Sequence, residues 1–531
     1  MRGLLATSIG VTCAAALALP LTPPANAATA RPASAAESAP TGTARATGPD
    51  TPVTPSLPDR PARPARSAHL THPTLPDLPG GTQSLPLTPL GRDRALGGAS
   101  TDQGLPRRDV RHFSLLGVVW DDPAAELHGR VQVRTRTSET GAWSGWQDVE
   151  THNADHGADP GTAERASGRV RGATAPLWVG DSDGVEIRVH PDTERRTEET
   201  TRDSGTLLPS GLRLELVDPG SAPPEHAPAG PPRSRALTTG TGEDVEGTGT
   251  GEDAEGTEAV DEAEGADGAD GAEPAALTAM TAEATASSAA NAPLAPLGAT
   301  EIPALDRLGT ERELLALRGA ELTQAQRAKP YIGPRPSIVT RRGWGADEKL
   351  RESGFRYTTK VKAAFVHHTA SGNGYKCSQA PSVIRGIYRY HVKSMGWRDI
   401  GYNFLVDRCG KIYEGRAGGV AKPVLGAHTL GFNSNSMGIA VLGTFTSAKP
   451  TTATVDAVAR LTAWKLGLFG ADPKGKTYLK SGGGNLYGKG KNVRLNVISG
   501  HRDGFATECP GRQLYGKLGS ARSTAARYQG R

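Results

Sequence analysis

The chain has 531 residues, a formal net charge of +5 and a mean hydropathy of -0.43, with 67 glycines, 40 prolines and only 5% aromatic residues. This length allows two or three domains of roughly 100–200 residues each. The composition argues against three, because long stretches lack the apolar side chains needed to bury a core and offset chain entropy.

The N-terminus has the pattern of an export signal. Arg2 precedes an apolar run at 10–21, and Ala-Asn-Ala at 25–27 is a small-residue cleavage site, which predicts a signal peptide over 1–27. The alternative is an anchoring helix, which needs about 20 apolar residues, and this run is too short and contains Pro20. With no later candidate membrane span, the protein is predicted to be secreted.

Residues 28–105 are rich in Pro, Ala, Ser and Thr and are predicted to form a disordered linker. From 106 to 220 short β-type runs are separated by Gly, Pro and Asp, which predicts a small all-β sandwich-like accessory domain. The runs are FSLLGVVW at 113–120, VQVRT at 131–135, VEIRV at 185–189 and LRLEL at 212–216. Trp143, Trp146 and Trp178 lie in or near its loops, where they either stack on sugar rings or belong to the core.

Residues 221–333 form a second predicted linker. Between 242 and 274 there are 13 Asp and Glu and no Lys or Arg, and such a segment stays solvated. Leucines with helical spacing over 305–322 predict a short helix within this linker.

The last predicted domain, 334–525, is strongly basic. Over 331–531 there are 32 Lys and Arg against 10 Asp and Glu, a net charge of about +22. A polyanion is the expected partner of such a domain. No nucleic-acid motif is present and the basic residues are scattered, so the anionic polymers of a cell wall are favoured over nucleic acid.

The pattern of this domain is mixed α/β. Helical spacing is found at 381–392 and 454–468, and a hairpin is expected at 402–414. Apolar strands are predicted at 361–366, 437–445 and 493–497, of which the first and last lead directly to histidines.

Three side chains that can bind zinc stand out. His367 and His501 follow apolar strands, and Cys509 comes eight residues after His501. Two imidazoles and one thiolate leave a fourth position for water, which is typical of a catalytic rather than a structural zinc site. Zinc lowers the pKa of bound water and polarises carbonyl groups, as amide hydrolysis requires.

Six motifs occur in order around these residues. They are RRGWGA at 341–346, FVHHTA at 365–370, WRDIGYNF at 397–404, GAHT at 426–429, GHRD at 500–503 and TECPG at 507–511. Over about 336–515 the chain resembles the peptidoglycan recognition protein / type 2 N-acetylmuramoyl-L-alanine amidase family. The resemblance implies a central mixed β-sheet flanked by helices, a Zn²⁺ cofactor and peptidoglycan, both glycan strand and stem peptide, as substrate.

The resemblance also implies roles for individual residues. His367, His501 and Cys509 would be the metal ligands, and Tyr402 and Thr507 would stabilise the tetrahedral oxyanion. Substrate contacts are implied at five further positions, although His368 is equally compatible with a structural role. These positions are His368, Trp397, Arg398, His428 and Asn433.

The cysteines and the general base complete this interpretation. Once the signal is removed three cysteines remain, and the resemblance leaves Cys377 and Cys409 to form a disulfide bond. Cytosolic relatives carry a catalytic Glu where this chain has Ala440, so the general base is not identified. The high content of Ala, Gly, Pro and Arg points to a high-GC bacterium.

Three functions stay open at this stage. The favoured one is a wall-associated amidase that hydrolyses the lactyl amide between N-acetylmuramic acid and L-alanine. The alternatives are a non-lytic peptidoglycan receptor and a zinc endopeptidase that cuts the stem peptide. Relatives that only recognise the wall typically lack the ligand cysteine, and this chain has Cys509.

Overall fold

The computed structural model describes residues 80–90, 102–192, 208–221 and 280–531. The predicted signal peptide at 1–27, most of the first linker and the acidic stretch at 242–274 lie outside these residues. Within the described ranges, no helix has the length and apolar character needed to cross a membrane.

The first folded part is an antiparallel β domain, which confirms the predicted all-β character. Its central strands lie in the order β1-β8-β3-β7-β4-β5, and β2 and β6 pair with β3. The strands are β1 (Thr82–Pro86), β2 (Thr88–Pro89), β3 (Gln103–Trp120), β4 (Gly129–Thr137), β5 (Gln147–Val149), β6 (Gly172–Ala173), β7 (Leu177–Pro191) and β8 (Arg213–Val217). Phe113, Val131, Ile187 and Leu214 are among its fully buried core side chains.

The β domain begins earlier than the sequence predicted. β1 and β2 lie inside the region 28–105 that was expected to be a linker, and β1 pairs antiparallel with β8 along its whole length. Its sequence, TQSLP, has one large apolar residue. Because an edge strand is held mainly by backbone hydrogen bonds, its composition gave little indication of a strand.

The second folded part is the mixed α/β domain that was predicted. Its strands are β9 (Glu301–Ile302), β10 (Ile338–Val339), β11 (Ala363–His368), β12 (Phe404–Val406), β13 (Ile412–Glu414), β14 (Ser436–Val441), β15 (Lys476–Lys480), β16 (Asn492–Asn496) and β17 (Ile498–Gly500). Its helices are α1 (Ala282–Ala289), α2 (Arg307–Arg318), α3 (Gln324–Ala328), α4 (Ala380–Arg389), α5 (Thr452–Gly467), α6 (Arg512–Tyr515) and α7 (Leu518–Gln529). The main sheet has the order β17-β11-β14-β12-β13-β10-β9, and β15 and β16 form a separate hairpin.

The middle of the main sheet is parallel. β11 pairs in parallel with both β14 and β17, and β14 pairs in parallel with β12. β12 and β13 form the predicted antiparallel hairpin. The helices expected at 381–392 and 454–468 are α4, which continues as a π-helical turn at Tyr390–Ser394, and α5.

The α/β domain also extends further than predicted at its N-terminal side. The region 221–333 was expected to be a linker, but from residue 280 the chain packs against the domain, with Leu294, Ile302 and Leu314 in its core. α2 is the short helix predicted here, and Asp306 caps its first turn. Leu308 and Leu315 on the same helix are exposed, so the apolar side of α2 is only partly buried. The prediction of a linker was therefore wrong for the residues from 280 onward, which pack on the α/β domain.

The two domains share a hydrophobic core. Leu115 and Trp178 of the β domain belong to the same buried cluster as Ile384 and Ile387 of α4. The Tyr390 hydroxyl, which is fully buried, shares its one proton between two backbone carbonyls of the β domain, at 3.1 and 3.3 Å. The β domain therefore has a fixed position on the α/β domain.

Candidate metal centre

The parallel sheet brings His367 and His501 together. His367 lies near the end of β11, and His501 follows β17, the parallel neighbour of β11. Since the carboxyl ends of parallel strands meet at one edge of a sheet, the two imidazoles converge there. Residues 504–508 then lead back to the two imidazoles, where Cys509 lies. Cys509 is the free cysteine of the described ranges. Cys377 and Cys409 form a disulfide bond, the pairing that the resemblance implied.

The three predicted ligands are in mutual contact. Nδ1 of His367 lies 3.1 Å from Nδ1 of His501 and 3.8 Å from Sγ of Cys509. Both histidines are fully buried, and Cys509 is 3% exposed. The other ring nitrogen of His367 faces away, 3.3 Å from Nδ1 of His428.

A fourth donor in this cluster comes from the β domain. His156 lies in the loop between β5 and β6, residues 150–171, which we call the covering loop. One donor atom from each of His156, His367, His501 and Cys509 lies within 4.8 Å of the others. Sequence analysis missed His156, although Asp155 and two histidines within five residues at 152–156 were a signal of a polar cluster.

Burial keeps the two ligand histidines in the neutral form that binds a metal. It lowers the pKa of His501 to about 3 and that of His367 well below its ordinary value. Both rings are therefore neutral imidazoles at pH 7, the form that binds metals. Burial also raises the pKa of the Cys509 thiol, so metal binding must release the thiol proton.

His428 and Asn433 lie behind His367 rather than in an open groove. His428 is fully buried, and its backbone N–H donates to Asn433 Oδ1 at 2.7 Å. A Cβ on Gly438 would come within 2.4 Å of the His428 ring, so glycine at this position of β14 permits the packing. His428 thereby orients His367, as partners of metal-binding histidines commonly do.

Tyr402, Thr507 and His368 surround a very small cavity beside the cluster. The cavity measures about 10 Å³, and Cys509 and His156 also line it. The Tyr402 ring lies 5.5 Å from that of His367, and burial raises the pKa of its hydroxyl. Thr507 Oγ1 accepts a hydrogen bond from the Cys509 backbone N–H at 3.2 Å. A cavity of this size holds about one water molecule.

Two of the residues implied as substrate contacts, Asn433 and Arg398, bond the covering loop, and Trp397 lies close to it. Asn433 Nδ2 donates to the carbonyl of Gly157 at 2.8 Å. The backbone N–H of Arg398 donates to Glu164 Oε1 at 3.3 Å. Trp397 is 4% exposed and stacks on His391, with ring centroids 4.5 Å apart. A Cβ built on Gly157 would lie 3.7 Å from its ring.

A larger cavity of about 490 Å³ lies next to the small one and shares Thr507 and His152 with its lining. Asp155 and Thr507 line it, together with Trp120, Arg502 and Phe505. In the described part of the chain, its lining includes none of the four clustered donors.

Comparison with known proteins shows the family of the α/β domain. Residues 357–512 match the family model described as N-acetylmuramoyl-L-alanine amidase. Residues 69–207 match a model described as Rv3811 N-terminal galactose-binding domain-like. Peptidoglycan-recognition protein SC2 of Drosophila simulans is 30% identical over 185 residues, which cover 34% of this chain and 84% of that relative. The chain belongs to the peptidoglycan recognition protein / type 2 amidase family.

Other members of the family match the same region. Peptidoglycan-recognition protein 1 of Holotrichia diomphalia is 29% identical over 196 residues, which cover 37% of this chain and 84% of that protein. The solved structure of Drosophila PGRP-LB is 27% identical and covers 34% of this chain and 92% of its own, with a TM-score of 0.27.

In this member of the peptidoglycan recognition protein / type 2 amidase family, the donor set fits zinc. Imidazole nitrogen and cysteine sulfur are the ligands that zinc takes in proteins. Nε2 of His501 and Nε2 of His156 are buried and have no hydrogen-bond partner among the described residues, and such atoms are costly unless something binds them. His367, His501 and Cys509, with His156 beside them, could therefore hold the ion.

Proposed function

We propose that the protein is a secreted, zinc-dependent N-acetylmuramoyl-L-alanine amidase that hydrolyses the amide between the lactyl group of N-acetylmuramic acid and L-alanine. One observation carries this proposal: His367, His501 and Cys509 converge in a buried cluster at the edge of the parallel sheet. A chain that only recognised the wall would have no need of this donor set.

The residues around the cluster support amide hydrolysis. When bound, a zinc ion supplies a Lewis acid for the carbonyl group and lowers the pKa of a water molecule. Tyr402 is protonated at neutral pH, and burial raises its pKa further, so its hydroxyl can donate to the oxyanion that develops on the carbonyl oxygen of the amide. Thr507, on the same cavity, is the second candidate donor.

The proposed substrate follows from the relatives and the charge. The relatives are named for peptidoglycan recognition, and the matched family model is named for the amidase reaction. The net charge of about +22 over 331–531 favours attachment to the anionic polymers of a bacterial cell wall. Export by the signal peptide predicted at 1–27 would bring the enzyme to that wall.

A second candidate function is a non-lytic peptidoglycan receptor. The small cavity beside the cluster favours it, because a space of about 10 Å³ does not admit a muramyl peptide. A receptor of this kind would bind the wall on its outer surface and release nothing from it.

Removal of a ligand tests the amidase proposal. Cys509→Ser and His501→Ala should each lose bound zinc and lose the release of stem peptides from purified wall, with an unchanged circular dichroism spectrum. His190→Ala is the control, since His190 is partly exposed, bonds Asp102 within the β domain and is not one of the clustered donors. Full activity of Cys509→Ser after chelator treatment would overturn the assignment.

A further inference from the structure

We propose that His156 of the β domain is a fourth protein ligand of the metal, and that the covering loop thereby closes the metal site in the folded chain. This inference rests on the proposed function and deepens it, because it assigns a regulation to the same site. The closed form is inactive, and the activity of the unmutated chain comes from the fraction of molecules in which the loop is displaced.

The position of the His156 ring is that of a ligand. Its centroid lies 4.6 Å from that of His501 and 5.3 Å from that of His367, and its side chain is 6% exposed. It shares the compact set of donor atoms with these two histidines and Cys509. No other histidine or cysteine of the described β domain enters this set.

The hydrogen bonds of His156 fix the tautomer that binds a metal. Nδ1 of His156 lies 2.8 Å from Oδ1 of Asp155, so the ring donates its N–H to this carboxylate. Nε2 is then the nitrogen with a free lone pair, and it is buried without a hydrogen-bond partner. A carboxylate that accepts from the far nitrogen of a ligand histidine is a recurrent feature of zinc sites.

The covering loop is fastened over the site by further bonds. The backbone N–H of Leu430 donates to the carbonyl of Asp155 at 3.0 Å. Asp159 Oδ1 accepts from the backbone N–H of Gly431 at 2.8 Å and from Asn433 Nδ2 at 2.6 Å. Residues 155–159 are all buried by these contacts.

Closure of the site follows from the ligand count and from the space that remains. A zinc ion with four protein ligands has no open position for water, whereas catalytic sites keep one. The cavity beside Tyr402 and Cys509 holds about one water molecule, and the loop contacts the residues implied to bind substrate. Both features disappear if the loop is lifted from the α/β domain.

Replacement of His156 separates this proposal from a purely structural role of the loop. In the full chain, His156→Ala should lower zinc affinity, in competition with a chromophoric chelator, by more than the roughly 10- to 100-fold that loss of a partner outside the coordination sphere costs. At saturating zinc the same variant should release stem peptides from purified wall faster than the wild type. Loss of affinity together with a gain in rate is expected only of a ligand that blocks the site.

His152→Ala is the matched control. His152 lies on the same loop and lines the same small cavity, but its side chain is 75% exposed, bonds Glu150 and contributes no atom to the donor set. This variant should leave zinc affinity and the rate of release at their wild-type values.

A measurement on the unmutated protein covers the case in which His156→Ala does not fold. Wild-type protein labelled with ¹⁵N-histidine and loaded with ¹¹³Cd should show three histidine nitrogens coupled to the metal. Two coupled histidines, or an unchanged zinc affinity of folded His156→Ala, would overturn the proposal. A folded His156→Ala that binds zinc but releases peptides more slowly would also overturn it, because His156 would then assist the reaction.

The proposed function fails in a different way. If three histidines are coupled to the metal and His156→Ala weakens zinc binding, but no variant releases stem peptides, then His156 is a ligand and the protein is not an amidase.

Discussion

The guanidinium of Arg416 donates two hydrogen bonds to the carboxylate of Glu164, at 2.9 and 3.0 Å, and joins the α/β domain to the covering loop. The side chains are only 5% and 10% exposed. Arg416 also donates to the carbonyl of Ile400 at 2.8 Å, so its position is fixed from both sides. The pair is therefore a buried clamp on the loop that carries His156.

Breaking this clamp should cost more than breaking an exposed ion pair. Glu164→Ala leaves the buried Arg416 charge without its carboxylate, and we expect a loss of about 3–5 kcal/mol in the free energy of unfolding, measured by urea titration. The matched control is Glu352→Ala, which removes the partner of Arg169 in a pair that is 37% and 59% exposed. That change should cost less than about 1 kcal/mol. Equal losses in the two variants would show that Glu164 is not a clamp.

Tyr402→Phe should separate catalysis from metal binding. The hydroxyl is proposed to donate to the developing oxyanion, so its removal should lower the rate of peptide release by about 100-fold and leave zinc affinity unchanged. Tyr375→Phe is the control, because the Tyr375 hydroxyl is also buried but bonds the carbonyl of Leu442. An undiminished rate in Tyr402→Phe would remove this residue from the mechanism.

Glu414 should make stability depend on pH. It is 2% exposed on β13, and burial raises its pKa to about 7, against 4.5 for a free side chain, although Asn291 and the backbone of Arg341 donate hydrogen bonds to it. The folded state therefore binds this proton more tightly than the unfolded state. The resulting stability is fully present below pH 4.5 and is lost as the pH rises through about 7.

The non-titrating variant Glu414→Gln measures this contribution. Between pH 4.5 and 7.5, the free energy of unfolding of the wild type should fall by roughly 3 kcal/mol more than that of Glu414→Gln. Parallel pH profiles for the two proteins would mean that Glu414 has the same pKa in the folded and unfolded chains.

The disulfide bond should contribute to stability and not to the metal site. Cys377 and Cys409 are 32 positions apart, and opening a loop of this length should cost about 3–4 kcal/mol in the chain-entropy model. The double variant Cys377→Ala/Cys409→Ala should melt at a lower temperature and bind zinc as tightly as the wild type. Weakened zinc binding by the folded double variant would link the disulfide to the ligand geometry.

Much of the α/β domain could be predicted from local patterns. The alternation of apolar residues at 493–497 and the helical spacing at 454–468 reflect burial on one side of a strand or helix, and the structure has both elements, as β16 and α5. The prediction that this alternating strand leads directly to His501 is wrong, because β16 belongs to the separate hairpin and the short strand β17 leads to His501. The three metal ligands were inferred from short motifs that occur in the family's order along this sequence. The parallel pairing of β11 and β17 explains why His367 and His501, so far apart in the chain, are neighbours.

The covering loop could not be predicted in this way. His156 precedes His367 by about 200 residues and belongs to another domain, so no spacing rule connects them. Its role depends on how the β domain packs on α4, which is decided by contacts such as those of Leu115 and Tyr390. The docking of residues 280–333 was missed for a similar reason, because α2 exposes Leu308 and Leu315 and buries Leu314.

The measurement that tests the central claim most directly is mass spectrometry of the soluble products released from purified peptidoglycan. Zinc-loaded wild type and His156→Ala are incubated with the wall, with and without a chelator. The account predicts free stem peptides with L-alanine at the amino end, released faster by His156→Ala, absent with chelator and restored by zinc. Fragments cut within the stem peptide, or no release by either protein, would contradict the amidase assignment.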